Sequence, residues 1–182
     1  MKKLALKYLK PLAIKSWIKP ILIVGLVYIS RFGFLPPNLS PVGSLGFFSK
    51  SILPLLLVTL GFDLLFGGHY TGFLWTYAGF AMYFVVGLVA RKTNWFGKDK
   101  GLVKRQIVLL PLASFLFFLL SNFGVWLSWY PRTMEGLFTC YTMALPFYKN
   151  TLMGDLVFGG GVMLIQVVLN QKYSLFTRLS KV

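Results

Sequence analysis

Two carboxylates stand inside long apolar stretches of this chain, which has only four acidic residues among 182. Asp63 lies in Ile52–Phe66 (ILPLLLVTLGFDLLF), and Asp155 lies in Thr151–Leu169 (TLMGDLVFGGGVMLIQVVL). A charge at membrane depth is costly, so it normally faces a protein interior or a wet cavity and marks a pathway or binding site. Two roles are open to each acid. It contacts a cationic or amine-bearing solute, or it pairs with a cation such as Arg31 or Arg132 and holds a bundle together.

The densest polar stretch runs from Ser121 to Asp155. Asn122 and Trp126 are four residues apart and share one helix face. They form either a pocket wall or a polar cap beside an interfacial aromatic belt that includes Trp129 and Tyr130. Asn150 reads as the N-cap of the last helix, with Asp155 in its second turn on the pocket side. The candidate binding set is therefore Asn122, Trp126, Asn150 and Asp155, followed by Asp63, Arg31 and Asn38. In that set Asp155 and Asn150 orient polar groups of a solute, and Trp126 stacks on its planar part.

Other chemistries find little support. One histidine (His69, in the turn Gly67-Gly68-His69-Tyr70), one cysteine (Cys140) and two Asp on separate elements make no metal signature. His69 reads as an exposed loop residue, and Cys140 excludes an internal disulfide. Gly159-Gly160-Gly161 lacks the strand and Lys-Ser/Thr of a phosphate loop and reads as a site of close helix contact. Neither Gly-x-Ser-x-Gly nor His-Glu-x-x-His occurs, and no base stands near Cys140, so no enzyme and no cofactor are expected.

The elements that must position these residues are membrane helices. The chain is 57% hydrophobic and 13% charged, with a mean hydropathy of +0.71. Continuously apolar runs fit an all-α integral membrane protein, whereas a β-barrel would show alternating segments. The length suits one transmembrane domain, residues 1–182. The net charge of +15 does not point to nucleic acid, because the basic residues cluster at the ends of apolar runs, as cytoplasmic loops do. Three cytoplasmic segments follow: a basic N-terminus (1–19), a loop (91–105) and a tail (171–182). The first span is expected to be uncleaved.

Charge also sets the number of crossings. The first span runs from Leu12 or Trp17 to Phe34 and is stopped by Pro36-Pro37. Val42 to Phe66, read as one helix, is roughly 37 Å long, too much for one upright span. A hairpin at Lys50-Ser51, with Pro54 in the following first turn, keeps the basic clusters on one side. Spans at Phe73–Ala90, Leu102–Leu127 and Thr151–Asn170 complete a six-helix bundle with both termini cytoplasmic. Thr133–Leu145, short and polar, is expected as an extra helix at the outer face. Of the 19 basic residues only Arg31, Arg132 and Lys149 then lie outside, and every candidate binding residue falls in the outer half.

Several strings resemble a known family: Pro36-Pro37-Asn38, Pro41-Val42-Gly43, Asp63 at the end of its helix, and Asn122-Phe123-Gly124-Val125-Trp126. Tyr130-Pro131, Gly136-Leu137, Cys140-Tyr141, Pro146-Phe147 and Asn150-Thr151-Leu152-x-Gly154-Asp155 do so too. The family is an uncharacterised one of small bacterial membrane proteins described only as candidate transport proteins, and the resemblance covers Arg31 to Val168. It is similar in layout to the S components of energy-coupling-factor transporters. That resemblance implies a multi-pass protein of the bacterial inner membrane that binds a small solute from outside. It also implies an ATPase-containing module as partner, since this chain has no nucleotide-binding motif. The first span offers Gly25 but not the alanine pair with which S components dock that module. The competing expectation is a non-transporting scaffold subunit of a larger complex.

Overall fold

The computed structural model describes residues 18–67, 71–93 and 101–179. The expected start of the first span near Leu12, the lysines from Lys2 to Lys15, His69, Lys98, Lys100 and Lys181 lie outside them. Six helices are described: α1 (Ile18–Arg31), α2 (Val42–Phe48), α3 (Leu53–Phe66), α4 (Phe73–Lys92), α5 (Gly101–Trp129) and α6 (Met134–Leu179).

Local sequence explains most of the boundaries. After Arg31 the chain turns through Gly33, at φ +84°, and on to Pro36-Pro37, which cannot extend a helix. α2 opens on Pro41 and lasts seven residues. Its C-terminal carbonyls are taken by a guanidinium: Arg91 Nη1 donates to the Phe47 carbonyl at 2.6 Å and Nη2 to that of Ser49 at 2.9 Å. The turn expected at Lys50-Ser51 separates α2 from α3, and Pro54 sits in the first turn of α3. α3 stops at Gly67 in the left-handed conformation, a C-terminal position that favours glycine.

Contacts order the helices along the bundle. Arg31 at the end of α1 pairs with Asp63 near the end of α3, and Tyr77 near the start of α4 joins them. These three mark one end. At the other, Arg91 reaches back to α2, and Arg105 Nε of α5 donates to the Ala90 carbonyl at 2.9 Å. Lys50, Lys92 and Lys104 share that end. α2 runs alongside the second half of α4, and Gly87 lets the two backbones meet, since a Cβ there would collide with the Phe47 carbonyl. α2 is only about 10 Å long. The irregular segment 32–41 therefore supplies the other half of its path through the bundle.

α4, α5 and α6 are long and apolar enough to cross a membrane. Large apolar side chains cover the outside: Leu65 is 73% exposed, Leu164 66% and Val108 59%. In water such a surface would associate, whereas hydrocarbon leaves it no reason to. The core, by contrast, is built of Phe47, Tyr83, Val86, Leu110 and Met163, with Phe80 stacked on Phe117 at 5.1 Å.

The expected separate helix at Thr133–Leu145 does not exist. That segment is the first part of α6, which runs unbroken for 46 residues. It begins at Thr133, whose Oγ1 accepts from the Gly136 N–H at 3.1 Å, and passes through Pro146. It packs on α5: Tyr141 donates to the Leu119 carbonyl at 2.6 Å, and Cys140 is buried beside Asn122. Thr139 and Thr151 donate to carbonyls four residues back in their own helix, so polarity there gives the helix no reason to stop. Asn150 is accordingly mid-helix and not an N-cap.

Candidate functional site

A cavity of about 530 Å³ lies between the 33–40 segment, the ends of α1 and α3, and the facing sides of α4, α5 and α6. It exists because α2 occupies only half the depth beside α4. At one end Arg31 and Asp63 form an ion pair, Tyr77 donates to Asp63 Oδ2 at 2.7 Å, and the guanidinium sits 5.6 Å over the Phe62 ring. At the other end is Asp155, 1% exposed. About 15 Å of helix rise separates the Tyr83 level from the start of α4, so this floor lies near mid-bundle.

Asp155 is held by three hydroxyls from three helices. Ser44 of α2 donates to Oδ1 at 3.0 Å, and Tyr83 of α4 and Ser114 of α5 both donate to Oδ2. Among the described residues all its side-chain hydrogen-bond partners are neutral. Gly43 makes room for this arrangement: a Cβ on it would stand 2.5 Å from Tyr83 Cζ and 2.8 Å from Asp155 Oδ1. The wall between the two ends is Thr76, Phe80, Phe117 and Thr151.

A second chamber of about 150 Å³ adjoins the first, sharing Asn38, Thr76, Phe117 and Thr151 and adding Ser121, Asn122 and Tyr148. Asn38 faces both chambers from a left-handed backbone position, φ 64°, which asparagine tolerates better than most residues.

A family model described as a family of unknown function, DUF6580, matches residues 12–177. The chain belongs to DUF6580. No curated protein and no solved structure matches it.

In this DUF6580 chain the seven sequence-predicted residues divide. Arg31, Asn38, Asp63 and Asp155 line the main cavity, and Asn122 lines the adjoining chamber. The two acids are not equivalent, because Asp63 is the one paired with Arg31. Asn122 donates to the Phe118 carbonyl of its own helix at 2.8 Å. Trp126 donates Nε1 to the Pro131 carbonyl at 3.0 Å and lines neither chamber, so it tethers the α5–α6 turn. Asn150 also lies outside both linings; its amide donates to the Pro37 carbonyl at 3.0 Å and ties the 33–40 segment to α6.

Ser44, Tyr83, Ser114, Thr76 and Gly43 are site residues that the sequence reading missed. Ser114 and Tyr83 sit singly in apolar runs and Gly43-Ser44 as an adjacent pair, where a small hydroxyl or glycine also serves ordinary helix packing. The usable signal was a buried acid's need for donors. Asp155 at mid-bundle requires them, and the hydroxyls of α2, α4 and α5 are the ones within reach.

Proposed function

We propose that this protein is a multi-pass protein of the bacterial inner membrane that binds a small solute in a pocket reached from outside, for S-component-like uptake. The observation that carries it is a cavity large enough for a metabolite inside a helical bundle whose exterior is apolar. The end bearing Lys50, Arg91, Lys92, Lys104 and Arg105 is then cytoplasmic, and the Arg31–Asp63 end faces outward. In this arrangement α2 and the 32–41 segment together make one of six crossings. Movement of the solute to the other side falls to a separate ATPase-containing module, since the chain has no nucleotide motif of its own.

The test is a thermal-stability screen of a broad metabolite set on the protein in detergent or nanodiscs. At least one compound is expected to raise the melting temperature, and Asp155→Asn is expected to abolish that rise. If no compound stabilises the folded protein, the scaffold role gains and the solute-binding role is lost. Co-purification of ATPase subunits from a native membrane tests the uptake partnership separately.

A further inference from the structure

We infer that the solute is a small organic cation whose positive group seats against Asp155. This rests on the solute-binding role proposed above and adds the ligand's charge and orientation.

The charges around the cavity are unequal. Among its described lining residues the carboxylates and cationic side chains are Arg31, Asp63 and Asp155. The first two neutralise each other. Asp155 has hydroxyl partners only, so with both carboxylates and the guanidinium ionised the cavity carries one negative charge more than positive. Three hydroxyl donors offset part of the cost of holding that carboxylate away from water, but they bring no opposite charge. An ammonium or comparable cation supplies it. Of the three hydroxyl residues Tyr83 lines the cavity beside Asp155, and its oxygen keeps a lone pair that accepts from an N–H group.

The neighbouring wall suits such a ligand. Phe117 stacks on Phe80 and lies 5.7 Å from the Tyr83 ring, next to Asp155. Aromatic faces attract cations within about 6 Å and take up the flat part of an organic ligand. An anionic solute would have to compete with Asp63 for Arg31. A bare divalent ion fits poorly as well, because it demands several charged oxygens at short range and leaves most of about 530 Å³ empty.

The test uses three probes of one shape and different charge: phenylethylammonium, 2-phenylethanol and phenylacetate. Their affinities are measured by saturation-transfer NMR on the full chain in nanodiscs. The ammonium is expected to bind at least about tenfold more tightly than the alcohol, as a charge-assisted contact does, with phenylacetate weakest. Asp155→Asn is expected to erase the preference, and Glu135→Gln, which removes an exposed carboxylate from the same helix, to leave it intact. The double variant Arg31→Gln/Asp63→Asn also keeps the preference and serves if Asp155→Asn does not fold. Loss of preference in the double variant moves the cation to Asp63 and overturns the assignment. So does an alcohol or acetate that binds as well as the ammonium, or a metabolite screen whose hits are neutral or anionic. Cationic hits support it even where the small probes bind too weakly to rank. A screen with no hits and no probe binding sinks the solute-binding role itself, and this inference with it.

Discussion

Replacing Tyr83 by phenylalanine removes one oxygen from the centre of the bundle and leaves the ring in place. Tyr83 and Asp155 are each 1% exposed, and the change takes away one of the three hydroxyl donors to the carboxylate. A hydrogen bond to a charged group contributes about 1.5–3 kcal/mol, against about 0.5–1.5 for a neutral pair. Tyr83→Phe should therefore cost about 2 kcal/mol in the native background and about 1 kcal/mol when position 155 is already asparagine. The difference, a coupling of about 1 kcal/mol, is roughly fivefold in the unfolding constant. It is read from equilibrium unfolding of the four proteins of the double-mutant cycle in mixed micelles, followed by tryptophan fluorescence. A Tyr83→Phe cost below about 0.5 kcal/mol, or an equal cost in both backgrounds, would refute the hydroxyl cage.

Four further outcomes follow from the packing and the proposed topology. Gly87→Ala should destabilise by about 1–3 kcal/mol, because its methyl meets the Phe47 backbone. Gly160→Ala, with nothing within 4 Å, should instead stabilise by roughly 0.5–1 kcal/mol through helix propensity; the same unfolding assay separates the two. Arg91→Ala frees the Phe47 and Ser49 carbonyls and should speed tryptic cleavage at Lys50 in the α2–α3 turn, with unchanged cleavage counting against the cap. Finally, in a Cys140→Ala background a membrane-impermeant thiol reagent should reach Lys50→Cys only from the cytoplasm and Arg132→Cys only from outside. Labelling of both from one side removes the proposed topology.

Much of the fold was legible because it follows from two strong signals, apolar run length and the placement of basic residues. The Lys50-Ser51 turn came from charge parity between lysine clusters, and the chain does turn there. Polar residues near the start of α6 misled its reading. Asn150 looked like a helix N-cap, but its amide donates to the Pro37 carbonyl from the middle of a continuous helix. Single-residue polarity reports solvent and partners, and the partner here is more than a hundred positions away in sequence. The same limit explains the site. Asp63 and Asp155 were visible as acids in apolar sequence, whereas which one Arg31 would neutralise depends on how α1 and α3 lie together. Trp126 had the right composition for a binding wall and turned out to brace a loop.

The shortness of α2 has a consequence for what the bundle tolerates. In the proposed membrane orientation, peptide groups of the 33–40 stretch run without helical pairing inside the bilayer, which provides no water. Such backbone persists only where protein or an aqueous hollow meets its N–H and C=O groups. The hollow is therefore a condition of the architecture. A variant that plugged it with bulky hydrocarbon would strand those amides, so natural sequences sharing this half-length helix should retain an opening even where their cargo differs.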